Sequence, residues 1–124
     1  MQKISTDKAP KALGPYSQAI KSGNLIFTSG QIPLDPVSGE IVGSDIQSQA
    51  TQVLNNLSAV LNEGGSSLDL IVKTTCFLAD MGDFIKFNEV YSSYIKNAPA
   101  RSCVAVKTLP KNVLCEVEAI AEIK

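Results

Sequence analysis

The segment SDIQSQATQVLNNLSAVLNEGG, residues 44–65, carries the clearest structural pattern in the chain. Apolar residues recur along it every three or four positions, which predicts an amphipathic helix with one buried stripe. The stripe consists of Ile46, Ala50, Val53, Leu54, Leu57, Val60 and Leu61. A capping box from Ser44 to Gln47 predicts where the helix begins. The pair Gly64-Gly65 predicts a left-handed end.

Shorter patterns on either side of this helix predict strands and a second helix. Ile4 to Gly30 is typical of short strands joined by turns, including a hairpin over 19–28, and a loop rich in turn residues follows. Leu70 to Leu78 is rich in β-branched residues and predicts a strand. Asp83 is expected to cap a second helix that Pro99 stops.

The C-terminal part of the chain predicts a long antiparallel hairpin, with strands over 102–108 and 113–123 and a turn at 109–112. The order of elements is therefore β-β-β-α-β-α-β-β. This order predicts an α+β fold, a single-layer mixed sheet with two helices packed on one face. At 124 residues the chain is expected to form one domain, 1–124.

The last strand alternates in a way that predicts association. Cys115, Val117, Ala119, Ala121 and Ile123 should lie under the helices, whereas Glu116, Glu118, Ile120 and Glu122 should point the other way. Two helices can cover only one face of the sheet. The other face must meet water or another subunit, but the pattern does not fix the number of subunits.

The chain contains no histidine. Its absence excludes Ser-His-Asp and Cys-His catalysis, the HExxH zinc motif and proton transfer by imidazole. No GxGxxG motif or Walker loop is present either. Any chemistry must come from carboxylate, arginine, hydroxyl, thiol or backbone groups, and no metal or cofactor is indicated.

Charge and cysteine content indicate a cytosolic protein. Eleven basic residues balance twelve acidic ones, for a formal net charge of -1, so composition predicts neither a nucleic-acid nor a membrane surface. Cys76, Cys103 and Cys115 are widely spaced and are expected to be reduced thiols. The apolar runs are far shorter than the roughly 20 residues that span a bilayer, and the first residues show no signal-peptide core.

Arg101 and Glu116 are the two residues best suited to chemistry. Pairing across the predicted turn would place Cys103 opposite Glu116 or Glu118, with Arg101 just beyond on the same face. A guanidinium binds a carboxylate through two parallel hydrogen bonds, and a nearby carboxylate can orient or deprotonate a water. The alternative is a plain cross-strand ion pair, worth about 0–1 kcal/mol when exposed. Joint action of the two residues within one chain requires that both side chains lie on one side of the sheet.

Other positions are candidates for a ligand pocket, each with a structural alternative. Ser29-Gly30 ends a strand where a ligand can approach the backbone, or is a simple strand exit. Tyr16 is presented by the Gly14-Pro15 turn or is structural. Asn88 needs partners if buried, so it caps a backbone group or walls a pocket. Phe84, Phe87, Tyr91 and Tyr94 are interpreted as core packing, and Glu118 and Glu122 as solvated or interface charges.

Many of these segments resemble the RidA (YjgF) family of imine deaminases, in order and from end to end. The matching segments are Ala12-Leu-Gly-Pro-Tyr-Ser-Gln18, Phe27-Thr-Ser-Gly-Gln-Ile-Pro33, Ile71-Val-Lys-Thr-Thr75, Asp83-Phe84 with Asn88 and Tyr91, Pro99-Ala-Arg-Ser-Cys-Val104, Leu109-Pro-Lys-Asn-Val113 and Glu116-Val-Glu-Ala-Ile-Ala121. The chain departs from the family pattern at Ala105, in place of a glutamate, and in a shorter segment before Pro99. Both departures concern fine specificity.

The resemblance implies a homotrimer of chorismate-mutase-like subunits, with the sheets forming a barrel-like core and a cleft between neighbours. It also implies hydrolysis of 2-imino and enamino acids, such as 2-iminobutanoate and 2-iminopropanoate, to 2-keto acids and ammonia. Pyridoxal-phosphate enzymes release these reactive intermediates. By the resemblance, Arg101 would bind the substrate carboxylate and Glu116 would hold the attacking water. The pocket would be lined by Tyr16, Ser29, Gly30, Asn88 and Cys103.

Other functions remain open. Family members are also described as ribonucleases and translation inhibitors, although the acidic pI of about 5.3 and the lack of a basic stripe argue against RNA. A non-catalytic sensor of small carboxylates, or a chaperone-like trimer, would need Arg101 but not Glu116. A chorismate-mutase-like isomerase would share the fold, which alone says little about function.

Overall fold

The computed structural model describes all 124 residues and contains six strands and two helices in the predicted order. The strands are β1 (Gln2–Ile4), β2 (Ala19–Ser22), β3 (Leu25–Thr28), β4 (Ile71–Leu78), β5 (Ala100–Ala105) and β6 (Cys115–Glu122). The helices are α1 (Ile46–Glu63) and α2 (Phe84–Tyr94). Neither helix combines the length and the hydropathy that crossing a membrane requires.

The predicted helix over 46–63 is confirmed, and every residue of its apolar stripe is buried. Its first turn differs from the prediction, because Asp45 and not Ser44 is the N-cap. The Asp45 carboxylate accepts a hydrogen bond of 2.9 Å from the Ser48 amide. Aspartate is as good an N-cap as serine, and its negative charge also interacts favourably with the positive end of the helix dipole. The helix therefore begins one residue later than predicted. Gly65, with a φ of 84°, provides the predicted left-handed end.

The strands form one mixed sheet in the order β1-β2-β3-β6-β4-β5. All neighbouring strands are antiparallel except β4 and β5, which are parallel. The predicted hairpin of β2 and β3 is confirmed.

The predicted hairpin of β5 and β6 is wrong, because β4 lies between these two strands. The connection from 106 to 114 is longer than a tight hairpin loop and passes around the end of β4. Two backbone hydrogen bonds fix this path: Val106 donates to the Leu78 carbonyl at 2.9 Å, and Ala79 donates to the Leu114 carbonyl at 3.0 Å.

Both helices pack on one face of the sheet, as predicted. The alternation of β6 is confirmed: Cys115, Val117, Ala119 and Ala121 belong to the core beneath the helices. The opposite face, which we call the open face, carries Glu116, Glu118, Ile120 and Glu122 from β6. Phe27 and Val104 lie on the same face, 43% and 47% exposed. The open face therefore combines apolar and acidic side chains.

Candidate functional site

Arg101 lies on the edge strand β5, and its side chain projects toward α2. Its register partner on β4 is Thr74, which is fully buried on the helix side. The guanidinium donates a hydrogen bond of 2.7 Å to the amide oxygen of Asn88. Its carbon lies 4.8 Å from the centre of the Tyr91 ring and 5.4 Å from that of Phe84. These contacts hold the guanidinium in place and leave most of its five donors for a ligand.

The cavity beside Arg101 has a volume of about 480 Å³. It is lined by α2 and the segment that follows, including Asn88, Ser92, Lys96 and Pro99. Arg101 and Lys96 are its charged lining residues, and both are cationic. Such a cavity suits an anionic ligand.

Cys103 follows Arg101 on the same face of β5, opposite Cys76 on β4. Burial raises the pKa of the Cys103 thiol, although the Arg101 charge acts in the opposite direction. Burial also raises the pKa of Cys76 to about 12. Both thiols are therefore protonated at neutral pH. A protonated thiol is a poor nucleophile, so Cys103 is better suited to lining a pocket than to covalent catalysis.

Glu116 projects from the open face of β6 and lies beside Gly30. Gln31 exchanges two backbone hydrogen bonds with Val117, of 2.8 and 3.1 Å, which brings Gly30 against the Glu116 side chain. A Cβ atom at Gly30 would overlap the Glu116 carboxylate. The sequence predicts the approach of a ligand to the backbone at Gly30, and this stays a prediction. In the structure, the group beside Gly30 is the Glu116 side chain of the same chain.

An acidic cleft of about 490 Å³ surrounds this carboxylate. Its lining consists of Tyr16, Ser29, Gly30, Ile32, Pro110, Glu116 and Glu118. The Ser29 hydroxyl donates to the Ser17 carbonyl at 2.6 Å, which ties the segment carrying Tyr16 to the end of β3. Tyr16 is 54% exposed at the edge of the cleft.

Burial raises the pKa of Glu116, and the neighbouring charge of Glu118 raises it further. Both effects move the carboxyl group toward the range in which a general base works near neutral pH. This role of Glu118 was not predicted from the sequence, which indicated a solvated or interface charge. The available signal was the spacing of two residues, which places both carboxylates on one face of a strand.

The prediction that Arg101 and Glu116 lie on one side of the sheet is wrong. Arg101 projects on the helix side and Glu116 on the open face. The candidate residues therefore form two groups in one chain. We call Asn88, Arg101 and Cys103 the arginine half-site, and Tyr16, Ser29, Gly30 and Glu116 the glutamate half-site. Phe84 and Tyr91 were predicted as core packing only, and the structure adds their contact with the guanidinium.

These observations define a small α+β protein with a cationic cavity on one side of its sheet and an acidic cleft on the other. The chain belongs to the endoribonuclease L-PSP family, which includes the YjgF/RidA proteins, and the family model matches residues 6–123. The resemblance drawn from the sequence is confirmed.

Close relatives cover nearly the whole chain. A RutC family protein of Pyrococcus abyssi is 57% identical over 119 residues, which is 95% of this chain and 94% of the relative. A candidate endoribonuclease from Thermotoga maritima MSB8, whose crystal structure is known, is 52% identical in sequence to this chain. The two structures superpose with a TM-score of 0.97, over 100% of this chain and 98% of the Thermotoga chain. Escherichia coli TdcF, solved with bound serine, is 44% identical, with a TM-score of 0.95 and full coverage of both chains.

Proposed function

We propose that this protein hydrolyses small 2-imino and enamino acids to 2-keto acids and ammonia. In this proposal the arginine half-site of one copy and the glutamate half-site of the next form each active site. The observation that carries it is the presence of two prepared half-sites on opposite faces, which one chain cannot bring together. Membership of the RidA family supports the reaction class. Serine bound to TdcF supports a ligand with an amino-acid-like carboxylate.

The same arrangement supports a closed ring of subunits. The two half-sites are different surfaces, so an interface that joins them is heterologous, and heterologous interfaces close into rings when the rotation permits. The exposed Phe27 and Val104 give the open face apolar area that association would bury. We propose a homotrimer with the sheets forming a barrel-like core, the number three following from the family resemblance.

The chemistry needs few groups. Arg101 would bind the substrate carboxylate through two parallel hydrogen bonds, with Asn88 holding the guanidinium. An imine carbon is already electrophilic, so it requires only a positioned water. Glu116 would take a proton from that water as its oxygen bonds to the imine carbon, and the electrons of the C=N double bond would move to the nitrogen, which takes the proton back from Glu116. In the resulting carbinolamine, Glu116 would move the hydroxyl proton to the amino group. The carbon–nitrogen bond then breaks, and ammonia leaves as the keto group forms.

Two physical effects would supply the rate. Holding the imine next to the water supplies proximity. Proton transfer to a positioned carboxylate contributes roughly 10²–10⁴-fold. In a cell, this reaction would remove reactive intermediates that pyridoxal-phosphate enzymes release, and we expect it to take place in the cytosol.

The direct test adds the purified protein to a threonine dehydratase and measures the rate of 2-keto acid release. We expect acceleration by the wild-type protein and little by Glu116→Gln. A non-catalytic sensor would bind small carboxylates equally well in both forms and accelerate neither. An unchanged rate with the wild-type protein would reject the hydrolase.

Cleavage of RNA is the second candidate, because the family model and the Thermotoga relative carry the description endoribonuclease. With a formal net charge of -1 and no histidine, the chain offers little to a polyphosphate backbone. Salt-dependent RNA cleavage by a nuclease-free preparation, lost in Glu116→Gln, would favour this candidate over the hydrolase.

A further inference from the structure

A second cavity, of about 250 Å³, adjoins the acidic cleft. The two share Tyr16, Gly30, Ile32 and Pro110 as lining residues. Its other lining residues are the apolar Pro10, Leu13 and Leu34 and the polar Lys11, Gln18, Gln31 and Lys111, and the exposed area of the cavity wall as a whole is mostly apolar. We call this space the apolar cavity. It continues the acidic cleft away from the two carboxylates.

Buried amide side chains hold both walls of the apolar cavity. Gln18, only 3% exposed, donates to the Pro10 carbonyl at 2.8 Å. Asn56, only 1% exposed, donates to the carbonyls of Ile32 and Leu34 at 3.1 and 3.0 Å. Since these walls are fixed by hydrogen bonds to buried groups, the cavity is a built feature of the fold and not a gap between mobile loops.

Leu13 lines this cavity and is 82% exposed. A large exposed aliphatic side chain beside an apolar cavity provides contact area that only a ligand or another chain would bury. Leu13 is therefore a suitable position for contact with an aliphatic group that enters from the cleft.

We propose that the apolar cavity receives the side chain of the imino acid, so that the site favours longer aliphatic side chains over the methyl group of 2-iminopropanoate. This inference rests on the proposed function. With the carboxylate on Arg101 and the imine carbon near Glu116, the third substituent would point away from both charged groups. Tyr16 and Ile32 form the walls along which it would pass.

Each methylene of the substrate side chain adds hydrophobic stabilisation when the cavity buries it. Burial of one CH₂ group is worth about fourfold in kcat/KM when it is realised in the transition state. The increase should continue along a series of straight-chain substrates until the cavity is full.

The lining of the cavity also includes Lys11 and Lys111. If these two cations governed selection, a side chain ending in a carboxylate would be preferred to an aliphatic chain of the same length. The apolar lining residues Leu13, Ile32 and Leu34 favour the uncharged chain. The experiment therefore compares the imino acids derived from norleucine and 2-aminoadipate, whose side chains have the same length.

The experiment generates imino acids in place with an L-amino acid oxidase and measures ammonia release above spontaneous hydrolysis. The substrates are alanine, 2-aminobutyrate, norvaline, norleucine and 2-aminoadipate. We expect kcat/KM to rise about fourfold per methylene from alanine toward norvaline. Leu13→Ala should lower the ratio of norleucine to alanine by about threefold or more. Val37→Ala, at a position 94% exposed and outside the cavity, should leave that ratio unchanged.

Three results would overturn the inference. A flat or falling series would show that the cavity does not bind the side chain. Preference for 2-aminoadipate over norleucine would assign selection to the lysines. If the wild-type protein accelerated no imine at all, the proposed function itself would fail, whereas hydrolysis without a chain-length effect would reject only the apolar cavity as a subsite.

Discussion

Arg101 and Glu116 project from opposite faces of the sheet, and β4 separates the strands that carry them. Thr74 of β4 pairs with Arg101 on one side and with Ala119 of β6 on the other. Adjacent strands are about 4.8 Å apart, so the two strands lie about 10 Å from each other. A substrate of a few atoms cannot reach both side chains through the sheet. Joint action of the two groups therefore requires two copies of the chain.

Replacement of Arg101 by lysine should abolish most of the activity, even though the charge is kept. A lysine cannot reproduce the planar fork that binds a carboxylate in two places or stack on the Tyr91 ring. We expect kcat/KM for 2-iminobutanoate to fall by about 100-fold or more. Initial rates measure the loss, and Lys107→Ala, an exposed position, serves as the control. Activity of Arg101→Lys close to that of the wild type would exclude the fork as the carboxylate binder.

The pH dependence should report on Glu116, because a general base must be ionised. Burial and the Glu118 charge raise its pKa, so kcat/KM should fall with decreasing pH at a higher pH than for an ordinary glutamate. Glu118→Gln removes the neighbouring negative charge, lowers the pKa of Glu116 and should shift this acid limb to lower pH. Glu122→Gln, which is outside the cleft, should not. A limb that moves upward in Glu118→Gln would contradict the assignment.

Gly30→Ala should inactivate the protein without unfolding it. The added Cβ overlaps the end of the Glu116 side chain, which can rotate away at small cost to stability. A displacement of about 1 Å in a reacting group can cost roughly 100-fold in rate. A double-mutant cycle is the control: if Gly30 acts only through Glu116, the double variant Gly30→Ala/Glu116→Gln should be no slower than Glu116→Gln. A further loss in the double variant would assign Gly30 a role of its own.

Asn88→Asp should create a competitor for the substrate within the arginine half-site. The new carboxylate would pair with Arg101 in place of the amide oxygen that now lies 2.7 Å away. We expect KM to rise by about tenfold or more, and kcat to change less. Asn88→Ala, which removes the partner without adding charge, should raise KM less. A lower KM in Asn88→Asp would mean that Arg101 does not bind the substrate carboxylate.

Local periodicity was sufficient to predict the individual elements. The apolar stripe from Ile46 to Leu61 predicted α1, and the alternation from Cys115 to Glu122 predicted the two faces of β6. Both patterns depend only on the geometry of a single helix or strand. Two helices can cover only one face of the sheet, and the prediction that the other face is left uncovered by helices was correct. The choice between Ser44 and Asp45 as N-cap was not decidable from the pattern, since both residues are good caps.

Strand pairing was not predictable in the same way, because it depends on contacts far apart in sequence. The predicted hairpin placed Cys103 level with Glu116 or Glu118. In the structure, Cys103 is level with Val117 through Cys76 of β4. That shift of one residue transfers the β5 side chains to the other face of the sheet. The predicted position of Arg101 relative to Glu116 was wrong because β4 lies between the two strands and because the register across β4 differs by one residue.

A shared site is tested most directly by mixing two inactive variants. Arg101→Ala and Glu116→Gln are unfolded together in equal amounts and refolded, so that mixed rings form. If each site takes its arginine from one copy and its glutamate from the next, about one quarter of the sites contain both residues, and about one quarter of the wild-type rate of imine hydrolysis should return. Full inactivity of refolded rings shown to contain both variants would contradict a site formed between copies.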